Sequence, residues 1–538
     1  MLYLLVASVV AGAVVAAIAF PAVGGVGLAA KQSSDSFEDL PADLRIPPSH
    51  EDSYLYAADG KTLITAFYEE NRREVPLAEI PPVMRQAIVA AEDNRFYQHR
   101  GVDVKGVLRS LVANDSAGTV QQGASTLTMQ YVRNVLVDSA NTPQEVEDAT
   151  AQTPARKVRE MRYAIALEQH LSKQEILRRY LNIALFGHQS YGVYAASETY
   201  FSVPPEQLTL DQAALLAGLV QSPNAYDPTL PDQKPAKQRR DYVLDQMVRL
   251  HDITARQADA AKRKPIALNP SRVPNGCTDV PANHLDWGFY CDWFVQWWQS
   301  QAAFGASVQA RTDALKQGGF HIVSTLDPKV QGAAERRVLQ QVSVTNPFAI
   351  NMAVVQPGTG NVLAMATNRR YSLDVSHNLP STRGSGVGNY PNTTNPLVAG
   401  GGDIVGYQAG STFKIFTMLA ALSTGHKLST SFNAPAKLTT KYPTGDGPAS
   451  CNHHWCPSNA NPSWMDGTRT MWSGFGRSVN TYFAWLEEQV GADRAVAMAR
   501  NLGVRFLADS DEQLATHGAA YWGAFTLGVA AVTPLDLA

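Results

Sequence analysis

The stretch Glu92-Asp93-Asn94-Arg95-Phe96-Tyr97-Gln98-His99-Arg100-Gly101 decides how the chain is read. The apolar run Ile88, Val89, Ala90, Ala91 before it has the character of a buried helix, so two adjacent carboxylates fall where that helix meets a loop. Neighbouring carboxylates repel, and in a dry cleft the one closer to apolar groups has its pKa raised toward the range useful for proton transfer. Phe96 and His99 follow at i+4 and i+7 from Glu92, on one face if the helix continues. Taken alone, the decamer is equally a solvated acidic helix end beside a core phenylalanine.

Four further blocks follow: Gly123-Ala124-Ser125-Thr126-Leu127-Thr128-Met129-Gln130, then Arg156-Lys157-Val158-Arg159-Glu160, then Ile176-Leu177-Arg178-Arg179-Tyr180-Leu181-Asn182, then Gly192 through Phe201. With the decamer, which matches Glu-Asp-x-x-Phe-x-x-His-x-Gly, these blocks resemble in order the lysozyme-like peptidoglycan glycosyltransferase domain of class A penicillin-binding proteins. The resemblance implies polymerisation of a lipid-linked disaccharide-pentapeptide into glycan strands, with inversion at the donor's anomeric carbon. Glu92 is then expected to be the general base for the acceptor's 4-hydroxyl.

A pyrophosphate leaving group calls for Arg and Lys forks and hydroxyl donors. The candidates are Arg133, Arg156, Lys157, Ser125, Thr126, Thr128 and Gln130, with Asp93, Phe96, His99 and Asn182 completing the expected substrate-binding set. Arg156 and Glu160 stand at i and i+4, which by itself is an ordinary helix salt bridge. The resemblance favours Glu160 as a second catalytic acid near the leaving group. Three positions depart from the family's commonest pattern: Ala124 for Gly, Met129 for Gln, and Arg178 for Glu, the last reversing a charge.

Around these blocks, 538 residues with a formal net charge of -3 and 45% hydrophobic content suit a multidomain globular protein and give no support to a nucleic-acid partner. Met1 to Ala30 carries no charge and exceeds the ~20 apolar residues needed to span a bilayer. No Lys or Arg precedes it, so it reads as a retained anchor rather than a cleaved signal. Residues 31–53 form a polar linker, and 54–230 read as a helical glycosyltransferase domain. Within that domain Ser172 and Glu175 form a capping-box pattern for a helix ending near Leu185, and Leu208 to Val220 reads as a buried helix.

Residues 231–345 read as an interdomain region. Lys234, Lys237, Arg239 and Arg240 open a charged helix there, taken as a solvated face. His251 to Gly319 reads as irregular, with Trp287, Trp293, Trp297 and Trp298 assigned to interdomain packing over sugar stacking. Cys277, Cys291, Cys451 and Cys456 pair most simply as Cys277–Cys291 and Cys451–Cys456 in an oxidising compartment, although sequence does not fix connectivity. A zinc site on Cys451-Asn452-His453-His454-Trp455-Cys456 is the disfavoured alternative, and no metal site is expected.

Residues 346–538 carry a second chemistry. Phe320 to Pro328 reads as a strand and helix start resembling the entry to a penicillin-binding transpeptidase module, and Ala353 to Ala366 as two strands around a Gly-rich turn. Ser411 and Lys414 at i and i+3, with Ser478-Val479-Asn480 downstream, resemble the Ser-x-x-Lys and Ser-x-Asn elements of penicillin-binding proteins and serine β-lactamases. The family's third element, Lys-Thr-Gly or Lys-Ser-Gly, does not occur between Asn480 and Ala538. A transpeptidase domain truncated at its C-terminal part is therefore expected, unable to form a stable penicillin adduct.

The fold expected is an N-terminal membrane helix, a mainly α lysozyme-like domain, and an incomplete α/β domain like that of serine β-lactamases. The function expected is a peptidoglycan glycosyltransferase and DD-transpeptidase on the bacterial cell membrane, single-pass, with its catalytic domains outside the cytoplasm. Expected partners are the lipid-linked precursor, the membrane, β-lactams, and division or elongation proteins. No cofactor is required, while a divalent cation at the pyrophosphate is compatible with the chemistry. Two alternatives stand beside this reading: a glycosyltransferase with an inactive transpeptidase remnant, and a non-catalytic penicillin sensor or scaffold.

Overall fold

A computed structural model of the protein describes residues 43–107, 125–140, 142–382 and 384–538. The expected anchor over 1–30, the linker up to residue 42, and Gly123 and Ala124 lie outside the described residues. Among the described residues no helix is long and apolar enough to cross a membrane.

The chain forms two compact units, divided differently from the expected boundaries. The first takes residues up to Ser53, Tyr68–Val273 and Lys316–Phe320; the second takes Tyr54–Phe67, Pro274–Leu315 and His321–Ala538. Strand β1 (Ser53–Tyr56) lies between β2 (Leu63–Phe67) and β3 (His321–Val323), pairing in parallel with β3 through Tyr54↔His321 and Tyr56↔Val323. This pairing assigns an early stretch of sequence to the later unit.

The first unit is helical where it carries chemistry. Helix α1 (Pro82–Glu92) starts on a proline, which has no N–H to leave unpaired, and buries Met84, Ala87, Ile88 and Val89. It stops at Glu92 because Asp93 leaves helical geometry (φ -155°, ψ 76°). Phe96–Gln98 forms a short 3-10 turn, so Phe96 and His99 do not share a helix face with Glu92. Helix α2 (Leu127–Asp138) is capped by Thr126, whose hydroxyl accepts from Met129 N–H at 3.2 Å.

Helix α3 (Pro154–His170) leads into α4 (Lys173–Ile183), which Ser172 caps by accepting from Glu175 N–H. Glu175 does not complete a capping box. Its carboxylate accepts from Arg178 at 2.8 Å and Arg179 at 2.6 Å, and these bonds hold its pKa down at about 2. Helix α5 (Leu210–Leu219) is buried on all sides from Ala213 to Leu219, as an evenly apolar helix requires. Helix α6 (Lys234–Arg249) packs Ala236, Val243, Leu244 and Met247 into the same core.

In the second unit the segment expected to be irregular contains helix α7 (Trp287–Ser300) and a helix over Val308–Gln317; in the first it contains one over Ala255–Arg263. The tryptophans build the second unit's own core: Trp287 and Trp298 are buried, and Trp298 stacks on Phe304 at 3.6 Å. Strands β4 (Asn351–Val355) and β5 (Val362–Thr367) pair antiparallel around the Gly-rich turn. Helix α8 (Pro328–Gln341) is capped by Asp327 and packs on β5. Two disulfides, Cys277–Cys291 and Cys451–Cys456, have Cα separations of 5.3 and 5.8 Å, within the normal span, so these sulfurs are not zinc ligands.

Candidate active sites

The two carboxylates of the decamer separate into different tasks. Asp93 is buried, accepts from Leu127 N–H at 3.0 Å and pairs with His99 Nε2 at 2.9 Å, so it fastens the start of α2. Glu92 keeps 10% of its side chain exposed. Its Oε2 accepts from Gln130 Nε2 at 3.0 Å and its Oε1 from Arg239 at 3.2 Å. Gln130 Oε1 accepts in turn from the Tyr180 hydroxyl at 2.8 Å, which fixes the amide with its NH2 toward Glu92. Burial raises the Glu92 pKa against the opposing pull of Gln130 and Arg239.

Glu160 is fully buried and clasped by Arg133, at 2.8 and 3.3 Å, and by Arg156. Its carboxylate faces guanidinium groups, whereas Arg133 keeps 30% of its side chain exposed. Glu160 thereby orients both guanidinium groups. Gln130 and Arg133 are i and i+3 on α2, roughly 4.5 Å apart in helical rise, so the residue that holds Glu92 and the residue that holds Glu160 lie along one face.

Other expected substrate residues do something else. Phe96 is buried under Lys173, whose Nζ sits 4.4 Å from the ring centroid. Thr128 is buried and donates to Glu168 at 2.5 Å; Thr126 is buried as the α2 cap and donates to Gly101 O at 2.6 Å. Asn182 is buried and bridges the N–H and C=O of Val75, both at 2.9 Å. These residues pack and brace the cleft; Lys157 is exposed and Ser125 half-buried.

Arg239 was missed. It lies beside Arg240, which is buried and donates to the carbonyls of Lys262 and Lys264, so both leave the solvated face assigned to them. The available signal was the apolar spacing Ala236, Val243, Leu244, Met247, which turns positions 239 and 240 inward.

The donor set here fits an anion. Glu92 and Glu160 are each engaged by arginine.

In the second unit, a 3-10 turn over Gly410–Phe413 runs into helix α9 (Lys414–Ser423). Phe413 is buried against Phe416 and Phe525 and anchors the turn while leaving Ser411 exposed. Gly410 N–H donates to Gly528 O at 3.0 Å, and a Cβ on Gly528 would meet Gly410 O at 1.9 Å, so this approach requires glycine. Lys414 is buried, with Nζ donating to Ser478 O and Asn480 Oδ1, both at 2.7 Å. The same Nζ lies 3.0 Å from Ser411 Oγ and 2.9 Å from Ser478 Oγ.

The two carbonyl oxygens can only accept, so they take two N–H bonds and direct the remaining valence of the nitrogen at the hydroxyls. Burial pushes the Lys414 pKa down to about 8. Ser478 holds a left-handed backbone (φ 54°), the kind of local strain that gathers at functional sites.

Two sites of this construction, one in each unit, define a two-domain protein, and comparison with known proteins identifies both domains. The transglycosylase family matches residues 59–248, and the penicillin binding protein transpeptidase domain family matches 351–538. The chain belongs to the class A penicillin-binding proteins.

It is 31% identical over 328 residues to penicillin-binding protein 2D of Bacillus subtilis, covering 61% of this chain and 43% of that protein. It is 42% identical over 208 residues to penicillin-binding protein 1A of Neisseria lactamica, covering 38% of this chain and 24% of that protein. The chain thus spans less than half the length of these relatives. A crystal structure of penicillin-binding protein 1A from Haemophilus influenzae aligns with a TM-score of 0.46 and 19% identity, over 92% of this chain and 68% of its own.

Proposed function

We propose that the first site polymerises lipid-linked disaccharide-pentapeptide and that the second cross-links stem peptides through an acyl-serine, the species β-lactams trap. The observation that carries the first reading is the nearly buried Glu92 carboxylate held by Gln130 and Arg239, with Arg133 three residues along α2 from Gln130. Glu92 takes the proton of the acceptor's 4-hydroxyl as that oxygen bonds to the donor's anomeric carbon and the bond to pyrophosphate breaks. Arg133 and Arg156, aimed by Glu160, meet the charge growing on the leaving group.

At the second site the Ser411 Oγ proton passes to Lys414 as Oγ bonds to the peptide carbonyl, and then to the departing amine. An acceptor amine releases the chain by attacking the ester. Residues 1–30 we read from their composition as the membrane anchor that keeps the first site near its lipid-borne substrate. Membrane fractionation of the chain with and without those residues tests that.

Glu92→Gln decides the first reading. The amide keeps the shape but cannot accept the proton, and general-base catalysis is worth ~10² to 10⁴-fold. Polymer formed from lipid-linked precursor is expected to fall by that range. Activity within about tenfold of wild type would remove Glu92 from the role.

A further inference from the structure

Helix α10 (Asn480–Val490) carries Asn480 at its first position, yet its N-cap residue, Val479, has no side chain able to cap it. The first-turn donor Thr481 N–H goes to Asn459 Oδ1 at 3.1 Å. Asn459 is 5% exposed, and its Nδ2 is committed as well, to Asp466 Oδ1 at 2.8 Å, Thr481 Oγ1 at 3.0 Å and Pro435 O at 3.2 Å. One residue earlier, Ser458 C=O accepts from Asn480 Nδ2 at 2.9 Å.

A side-chain amide has one oxygen and one NH2. With the NH2 fixed on Ser458, Oδ1 is the atom that faces Lys414; an amide free to flip would turn an N–H at the amine and lose that bond. The strap Cys456–Asn459 therefore both caps α10 and chooses which atom of Asn480 enters the site.

The strap is held on two sides. Against 436–438 it has Asn459 N–H donating to Ala436 O at 2.9 Å and Leu438 N–H to Pro457 O at 3.1 Å. At its start Cys456 is buried, donates its N–H to Ala449 O at 2.8 Å and is joined to Cys451. Between the two cysteines lies a hairpin of only two residue pairs, whose turn residues Asn452 and His453 hold φ of 50° and 62°. A hairpin this short is marginal without a cross-link; its second strand is tied to 440–444 by Trp455 N–H to Tyr442 O at 2.8 Å and Thr444 N–H to His453 O at 2.9 Å, while its first strand, Ser450–Cys451, is tied to the second by the disulfide.

We propose that Asn459 is a positioning residue for the acyl-transfer site and that the Cys451–Cys456 disulfide is the latch that keeps it there, making the site's geometry depend on thiol redox state. The proposal rests on the acyl-serine reading above, so its test uses readouts that do not require turnover.

The full chain is compared oxidised and after treatment with dithiothreitol, which converts Cys451–Cys456 to two thiols as it closes to its own disulfide; alkylation and mass mapping confirm which thiols are free. Hydrogen exchange is followed at Thr481, and Lys414 is titrated by NMR of 13C-labelled lysine. Reduction is expected to speed Thr481 exchange about tenfold, the scale of a lost helix cap, and to lower the Lys414 midpoint, because the charged amine loses an acceptor.

Asn459→Ala should reproduce both changes in the oxidised protein. The double variant Cys451→Ser with Cys456→Ser should start in the altered state and be indifferent to dithiothreitol, which excludes the other disulfide as the source. Unchanged exchange and titration in mass-verified reduced protein would overturn the latch. Faster exchange with an unmoved Lys414 midpoint would make Asn459 a plain helix cap and overturn the positioning role.

Discussion

Arg239 shows what a contact across 147 residues of sequence does to a single carboxylate. Burial raises the Glu92 pKa and Arg239 lowers it, so the base is poised by two opposing effects. Removing the arginine leaves burial less opposed, and the fraction of Glu92 ionised at a given pH falls. Arg239→Ala is expected to move the acid limb of the polymerisation pH profile upward. Arg239→Lys should restore part of that shift. A variant damaged only in its folding would lose rate without moving the limb.

Residues were legible where the chemistry is local. Ser411 and Lys414 share one turn, and Ser478 and Asn480 lie two apart. Arg239, Tyr180 and Asn459 were not legible, because each reaches its partner through the fold. Phe96, Thr128 and Asn182 were misread because an aromatic, a hydroxyl and an amide serve packing as readily as binding, and only their burial separates the two.

At the scale of elements, α2 is the part on which the first site turns. Its N-terminus is satisfied twice, by the Thr126 hydroxyl and by Asp93, and its inner face presents Gln130 and Arg133 together. Thr126→Ala should cost about 1 kcal/mol of stability, as lost caps do. Since Gln130, which holds the base, and Arg133 ride on one helix, polymerisation should fall with kcat and KM changing together; thermal melting and steady-state kinetics measure both effects.

Helix α10 carries an opposite feature. Glu487 is fully buried with no ion-pair partner among the described residues, and burial raises its pKa well above the ordinary value. For an acid whose folded pKa is raised, the stabilising contribution is fully present below the unfolded pKa and is lost as pH rises through the folded one. Glu487→Gln removes that pH dependence. It is therefore expected to raise Tm at pH 8, where ~1 kcal/mol corresponds to about 2–4 °C in a unit of this size. The gain should shrink steadily as pH falls toward 4.

For the molecule as a whole, periodicity and motif order identified the helical first unit and the β4–β5 hairpin, but boundaries followed long-range pairing that no local pattern encodes. A fragment cut at the sequence-expected limits 54–230 would carry β1 and β2 without β3 and would lose α6, with Arg239 and four core side chains. It is expected to be poorly soluble and inactive. A fragment from residue 68 to 273 should be better folded, though without the first unit's residues up to Ser53 and Lys316–Phe320; gel filtration and polymerisation assays on both compare them directly.

The parallel pairing of β1 with β3 also sets a timetable. Strand β1 emerges from the ribosome early, and its partner follows only after roughly 260 further residues, which at 5–20 residues per second is about 13 to 50 s. Throughout that interval one edge of β1 has no strand to meet, and an unmated edge is a template for pairing with another chain. The core of the first unit can assemble meanwhile. Newly made chains thus pass through a period in which one half is finished and the other holds an open strand, when crowding by sister chains does most harm.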